Sequence, residues 1–200
     1  MYVERLPLAA LFPLAVALLW VYARWLKRMP FWGNLLVSLF CAGVVALLWL
    51  AETEGIARLR ALAPERAALL QVVFWAFAAL AFLANLFREI VKDLEDLEGD
   101  AAAGARTLPV VWGPEGSRRW AFLPGVLLIL LMVWGGLWLY GRGLVWSGLW
   151  AGLGVVGLQA GALLHLGKAK SSADYGAVSR QAKLVMGGGL LLLGIILLEL

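Results

Sequence analysis

The stretch LLQVVFWAFAALAFLANLF, at residues 69–87, contains no charged side chain, and it is followed directly by REIVKDLEDLEGD at residues 88–100. A helix needs about 20 predominantly apolar residues to cross the hydrocarbon core of a bilayer. The first stretch meets that requirement. The second stretch carries so many charges that it belongs outside the hydrocarbon. Together they predict a membrane-spanning helix with a charged end.

Five further apolar stretches flank this one, at residues 6–22, 34–51, 120–140, 144–166 and 184–200, which makes six candidate spans. Hydrophobic residues make up 63% of the 200-residue chain and charged residues 15%. In a soluble domain, roughly half of the residues are hydrophobic and about a quarter are charged. The composition therefore excludes a water-soluble fold, a disordered tail, a collagen-like fibre and a secreted disulfide scaffold. It predicts an all-α, polytopic membrane bundle that forms a single domain over residues 1–200.

The Lys and Arg residues are distributed unequally between the two ends of the spans. The loops at residues 24–33, 88–119 and 167–183 hold 12 of them, and the segments on the opposite face hold 5. Loops rich in Lys and Arg face the cytoplasm. We therefore expect a multi-pass protein of the inner (cytoplasmic) membrane, with the charged end of the third span facing the cytoplasm. Because the basic residues lie in short loops between spans, the net charge of +4 does not indicate a nucleic-acid partner.

The charged end of the third span is mainly acidic, and seven of the chain's 13 acidic residues lie within residues 88–119. If the helix continues at about 100° per residue, Asp93, Asp96 and Asp100 fall on one face. Carboxylates in close proximity repel one another by about 1 to 4 kcal/mol per pair, depending on the local dielectric. A divalent cation relieves that repulsion, and a set of oxygen ligands suits Mg²⁺. The spacing therefore points to a magnesium site.

The same charges have a second interpretation, in which they form the solvated end of a membrane helix and bind nothing. Two features favour a site. Helical periodicity places Glu95 and Glu98 on a different face from the three aspartates. In addition, Asn85, Arg88 and Glu89 lie at the inner end of the span, where polar groups are costly and tend to be functional. Spacing alone leaves both interpretations open.

Two motifs add a resemblance. The run REIVKDLEDLEGD at residues 88–100, with GARTLP at residues 104–109 and Gly113, resembles the second aspartate-rich motif of the UbiA superfamily of intramembrane prenyltransferases. The segment YARWLKR at residues 22–28, followed by Gly33 and Asn34, is similar to that family's conserved loop ahead of its fifth helix. The two motifs have the expected order, spacing and membrane side. The EDLEGD form and the TLP tail most resemble the branch that makes digeranylgeranylglyceryl phosphate, and its bacterial relatives.

The resemblance implies an all-α bundle around a central cavity that opens to the cytoplasm and to the lipid. It also implies Mg²⁺-dependent transfer of a prenyl group from a polyprenyl diphosphate to an acceptor in the membrane. The acceptor would be a lipid, such as geranylgeranylglyceryl phosphate, or an aromatic molecule. Carried over residue by residue, the metal-binding and catalytic residues are Asp93, Asp96 and Asp100. The diphosphate-binding residues are Tyr22, Lys27, Arg28, Asn85, Arg88 and Lys92.

The sequence departs from the family pattern in one respect. The family has nine membrane helices and a first motif of the form Asn-x-x-x-Asp-x-x-x-Asp, whereas here no aspartate precedes Asp93. The six spans match helices four to nine, so we expect the three N-terminal helices and the first motif to be missing. This leaves open a shortened enzyme and a half-enzyme completed by a partner segment that supplies the first motif. It also leaves open a non-catalytic protein that binds isoprenoid or lipid phosphates.

Overall fold

The computed structural model describes residues 11–200, and within that range every regular element is helical. The prediction of an all-α fold is confirmed. A short 3₁₀ turn at Leu26–Arg28 precedes the second helix. In chain order the helices are α1 (Leu11–Arg24), α2 (Trp32–Ala51), α3 (Thr53–Leu62), α4 (Pro64–Glu95), α5 (Leu97–Ala102), α6 (Leu108–Gly141), α7 (Val145–Lys168) and α8 (Ser172–Glu199).

Five helices are long and apolar enough to cross a membrane, namely α2, α4, α6, α7 and α8. They confirm five of the predicted spans and make the chain a multi-pass membrane protein. The helices α4, α6 and α8 are longer than predicted, because apolarity marks only the part of a helix that lies in hydrocarbon. The sixth predicted span, residues 6–22, lies partly outside the described residues. Its described part belongs to α1, which has 14 residues, so the count of six stays a prediction.

The helix α4 is central to the bundle and packs on α2, α6 and α8. Its fully buried side chains include Phe87, Ile90 and Val91, close to its charged end. One cluster of buried residues surrounds that end, and a second cluster lies toward the opposite end. In a bilayer such van der Waals packing holds helices together, because the lipid is as apolar as the side chains. Contact on several sides fixes where the charged end of α4 projects.

Glycines bring α6 and α7 close together. A Cβ added to Gly136 would lie 2.9 Å from the backbone nitrogen of Gly152 and 3.0 Å from the carbonyl oxygen of Gly148. Small residues permit such close approach of membrane helices. The helix α7 contains a π-helical segment at Trp150–Val155. The indole N–H of Trp150 donates a 2.9 Å hydrogen bond to the carbonyl oxygen of Gly188, which ties α7 to α8.

The C-terminal end of α8 is attached to the start of α7 through the carboxylate of Glu199. Glu199 accepts hydrogen bonds from the backbone N–H groups of Trp146 and Ser147, at 2.9 and 2.8 Å. The first N–H groups of a helix have no partner within the helix, and a negative charge there also interacts favourably with the helix dipole. Glu199 therefore stabilises the packing of α7 against α8 at the end of the bundle that is remote from the acidic residues.

Candidate active site

The prediction of one continuous helix through Asp100 is wrong. The helix α4 ends at Glu95, Asp96 lies at the junction, and α5 begins at Leu97. The hydroxyl of Ser172, at the start of α8, donates a 2.8 Å hydrogen bond to the carbonyl oxygen of Glu95. The last carbonyl groups of a helix need partners from outside it, and Ser172 supplies one, 77 residues away along the chain.

The break collects four acidic residues around one hollow. An open, polar hollow of about 400 Å³ is lined by Glu95, Asp96, Glu98, Gly99, Asp100 and Ser172. We call it the acidic hollow. The prediction that the two glutamates lie on a different face from the aspartates is therefore wrong for Asp96 and Asp100. A rotation of about 100° per residue holds only within one straight helix, and α5 is a separate helix.

Asp93 lies in the last turn of α4 and is half-buried. Its Oδ2 accepts a 2.8 Å hydrogen bond from Nδ2 of Asn34 in α2. The charges of Glu89, Asp96 and Asp100 are close enough to repel it. Within residues 11–200 no Lys or Arg side chain forms an ion pair with it. A partly buried carboxylate without a counter-charge is costly, so the arrangement favours a bound cation.

A column of polar side chains continues from Asp93 toward the interior of the bundle. The hydroxyl of Ser38 donates a 2.6 Å hydrogen bond to the carbonyl oxygen of Asn34, and Nδ2 of Asn85 donates to the Ser38 oxygen at 3.2 Å. Asn34, Ser38 and Asn85 are all buried. We call Asp93, Asn34, Ser38 and Asn85 the polar column. It connects α2 to α4 and so positions the carboxylate of Asp93.

Asn34 was predicted only as part of a motif, and Ser38 was not predicted. A signal for both was present, because they are the only amide and the only hydroxyl within Trp32–Ala51, and they lie four residues apart on one face of the helix. Polar residues inside a membrane span normally have a partner. Asn85 was expected to contact a diphosphate, and that role stays a prediction. In the structure its amide donates to Ser38.

The two sequence motifs are adjacent in space. Lys27 and Arg28 lie exposed in the 3₁₀ turn before α2. The turn packs closely on Gly33, where a Cβ would lie 2.9 Å from the carbonyl oxygen of Leu26. The carbonyl oxygen of Arg28 accepts a 3.0 Å hydrogen bond from the backbone N–H of Arg106, in the loop that follows α5. The basic turn is therefore fastened to the segment that carries the aspartates.

The remaining predicted site residues lie around the end of α4. Arg88 forms an ion pair with Glu89, and Nζ of Lys92 lies 2.9 Å from Oδ2 of Asp96. Tyr22, in α1, is close enough to Glu89 to interact with its charge. Both basic residues at the charged end of α4 are thus engaged with carboxylates. Those of the 3₁₀ turn form no ion pair with any residue in the described part of the chain.

The carboxylates have the donor chemistry of a hard-cation site, but they do not converge on a single point. Within residues 11–200 no three His, Cys, Asp or Glu side chains lie close enough together to hold a metal ion. Asp93 is bonded to Asn34, and Asp96 to Lys92. The described chain therefore offers acidic oxygens for part of a cation site. The set of three aspartate ligands stays a prediction.

An apolar cavity of about 410 Å³ lies on the membrane side of the polar column. It begins beside Cys41 in α2 and Ala84 in α4, and residues of α6, α7 and α8 complete its walls. Val44 and Leu190 line it and are also exposed, so the cavity opens sideways from the bundle. Its volume lies in the range of small-molecule sites, roughly 300–1,000 Å³. The arrangement suits a ligand with a charged head and an apolar tail.

Comparison with known proteins gives the family. The UbiA prenyltransferase family matches residues 2–176. This chain belongs to the UbiA prenyltransferase family. The resemblance noted from the two motifs is therefore confirmed, and both motifs of this UbiA-family chain lie within the matched range.

Curated relatives of this UbiA-family chain are digeranylgeranylglyceryl phosphate synthases. That of Thermococcus sibiricus is 40% identical over 116 residues, which is 58% of this chain and 36% of the relative. That of Methanopyrus kandleri is 40% identical over 114 residues, which is 57% of this chain and 36% of the relative. That of Pyrococcus abyssi is 37% identical over 126 residues, which is 62% of this chain and 39% of the relative. The matches thus span well under half the length of these relatives. No solved structure matches this chain.

Proposed function

We propose that this chain acts in the Mg²⁺-dependent transfer of a prenyl group from a polyprenyl diphosphate to an acceptor within the membrane. One observation carries the proposal. Acidic oxygens lie at the end of α4, the turn that carries Lys27 and Arg28 is bonded to the loop that follows the acidic residues, and an apolar cavity opens farther along α4. A polyprenyl diphosphate has a polyanionic head and a hydrocarbon tail, and these match the two regions in turn.

The head of the substrate would lie at the end of α4. Asp93, Asp96 and Asp100 are the residues that would hold Mg²⁺. When bound, this cation neutralises the diphosphate and makes it a better leaving group. Lys92 has a second role in this arrangement. It pairs with Asp96 in the structure, and if Asp96 held the cation, the ammonium of Lys92 would be available to contact a phosphate oxygen.

Further cations and one hydroxyl complete the binding of the diphosphate in this proposal. Lys27 and Arg28 have no carboxylate partner in the described part of the chain, and their turn is bonded to the loop after α5. Charge-assisted hydrogen bonds from such side chains to phosphate are about twice as strong as neutral ones. Arg88 and Tyr22 lie beside Glu89 at the same end of the bundle and would contact the remaining oxygens.

The tail of the substrate would occupy the apolar cavity. Its walls are almost entirely apolar, so they exclude water from the carbon that loses the diphosphate and thereby protect it from hydrolysis. The lateral opening beside Val44 and Leu190 lets a membrane-dissolved tail enter without passing through water. The distribution of Lys and Arg supports a site on the cytoplasmic face of the inner membrane.

The acceptor in this proposal is a membrane lipid, and geranylgeranylglyceryl phosphate is the first candidate. The support for it is the similarity to digeranylgeranylglyceryl phosphate synthases. A phosphate group on the acceptor also suits the exposed basic turn at Lys27 and Arg28.

Binding of labelled geranylgeranyl diphosphate to the purified chain in nanodiscs, with and without Mg²⁺, tests the proposal. We expect Mg²⁺-dependent binding that Asp96→Asn or Asp100→Asn weakens at least about tenfold, which corresponds to about 1.4 kcal/mol. Glu115→Gln is the matched control, because Glu115 is an exposed carboxylate in α6 that pairs with Arg118 and lies outside the acidic hollow. Equal binding by the aspartate variants and the control contradicts the proposed site.

A transfer assay on the same sample separates catalysis from binding alone. The labelled donor is incubated with geranylgeranylglyceryl phosphate or with an aromatic acceptor, and the prenylated lipid is extracted. A labelled product that depends on Mg²⁺ supports transferase activity. Binding of the donor without product from any acceptor contradicts catalysis by this chain alone and supports the alternative, a protein that binds isoprenoid phosphates.

A further inference from the structure

The apolar cavity ends at three side chains that also line a second, smaller hollow. Phe77, Leu80 and Met132 border both spaces. The second hollow has a volume of about 40 Å³ and is also almost entirely apolar. We call these three residues the floor, because they separate the cavity from the smaller hollow.

The second hollow lies on the side of the floor that is remote from the acidic residues. On α7, Ala151 lines the hollow and Val155 the cavity, and α7 runs toward the acidic end. On α8, which runs the opposite way, the cavity ends at Leu190 and the hollow begins at Leu192. On α4 and α6, too, the residues that line the second hollow lie farther from the acidic end than those that line the cavity. The floor therefore crosses the path of any chain that enters the cavity from the acidic end and continues along the bundle.

The ring of Phe77 forms much of this barrier. It reaches from α4 toward α8, where a Cβ on Gly189 would lie 3.9 Å from its Cε2. At about 1.5 Å per residue, Phe77 lies about 24 Å along α4 from Asp93. A tail whose head is held at the end of α4 thus reaches the Phe77 ring after it has filled the cavity.

We infer that the floor, with Phe77 as its main element, limits the length of the isoprenoid tail that the site accepts. This inference rests on the proposed function and adds a specificity-determining residue to it. A tail that fits above the floor buries fully. A longer tail has to displace the floor or bend out of the lateral opening, and either change weakens binding. Removing the Phe77 ring joins the cavity to the second hollow and lengthens the available space.

Competition binding with donors of graded length tests the inference. Unlabelled geranyl, farnesyl, geranylgeranyl and hexaprenyl diphosphates displace labelled geranylgeranyl diphosphate from the full chain in nanodiscs with Mg²⁺. For the wild type we expect hexaprenyl diphosphate to bind at least about tenfold more weakly than the best donor. In Phe77→Ala that penalty should fall to less than about threefold.

Two further variants control for general effects of mutation. Phe74→Ala removes an equal ring one turn away, where Phe74 packs on Trp49 and lines neither space, so the length preference should not change. Ala81→Phe adds a ring to the cavity wall above the floor and should shift the preference toward shorter donors. It tests the inference even if Phe77→Ala does not fold.

The outcomes distinguish the inference from the proposed function. If the wild type binds donors but Phe77→Ala and Phe74→Ala show the same length preference, the tail does not meet the floor and the inference is overturned, whereas the proposed function stands. An unchanged preference in Ala81→Phe overturns it equally. If the wild type binds no prenyl diphosphate of any length, the proposed function fails and this inference fails with it.

Discussion

Replacing Asn34 by alanine tests the role of the polar column. Asn34 is buried, and its side chain makes the only hydrogen bond to Asp93 found in the described part of the chain. The substitution leaves the half-buried carboxylate without this partner and removes a link between α2 and α4. We therefore expect Asn34→Ala to disturb the position of Asp93 and so to weaken binding of the cation and the diphosphate together.

The size of the effect follows from the geometry of the bond. A hydrogen bond to a charged group contributes about 1.5–3 kcal/mol in soluble proteins. Interhelical hydrogen bonds in membrane proteins average about 0.6 kcal/mol, with a maximum of about 1.7. The 2.8 Å bond between Asn34 and Asp93 joins an amide to a carboxylate near the membrane surface, so we expect about 1.5 kcal/mol. That corresponds to a loss of about tenfold in affinity for geranylgeranyl diphosphate with Mg²⁺.

A double-mutant cycle with Asp93→Asn assigns the effect to this pair. The affinity for geranylgeranyl diphosphate is measured for the wild type, both single variants and the double variant. Leu39→Ala is the control, because Leu39 lies on the same helix with about half of its side chain exposed and has no polar group. A coupling energy of about 1 kcal/mol or more is expected. Additive effects of Asn34→Ala and Asp93→Asn refute the reasoning, as does a loss of affinity in Leu39→Ala equal to that in Asn34→Ala.

Three further predictions concern the packing and the charged end. Glu199→Gln should lower the thermal unfolding midpoint in detergent, because the charge at the start of α7 is lost; an unchanged midpoint contradicts this. Gly136→Ala should cost more than about 1 kcal/mol in the same assay because its Cβ meets the backbone of α7, whereas Gly135→Ala, with open space around it, should be neutral. Lys27→Ala should weaken diphosphate binding by about tenfold, whereas the exposed Arg119→Ala should not.

Much of the fold could be predicted from local patterns. Continuous apolar runs identify membrane helices because the bilayer requires them, and this holds for α2, α4, α6, α7 and α8. The motif that contains Asp93 and the motif that contains Lys27 were also identified correctly as parts of a UbiA-family chain. Their adjacency in space, through the hydrogen bond between Arg28 and Arg106, agrees with that assignment.

The parts that sequence analysis missed depend on contacts between distant segments. The end of α4 at Glu95 involves a hydrogen bond from Ser172, and helical periodicity carries no information about a residue on another helix. The link between Ser38 and Asn85 joins two helices in the same way. The floor at Phe77 depends on how residues of five helices pack around the two hollows, and local sequence patterns do not predict that packing.

The most direct test of the central claim is electron–nuclear double resonance of Mn²⁺ used in place of Mg²⁺, with geranylgeranyl diphosphate bound to the chain in nanodiscs. If the acidic end of α4 holds the cation against the diphosphate, the bound Mn²⁺ should show a phosphorus hyperfine coupling. That signal should disappear in Asp96→Asn combined with Asp100→Asn and persist in Glu115→Gln. A bound Mn²⁺ without phosphorus coupling, or an unchanged signal in the double variant, would contradict the claim.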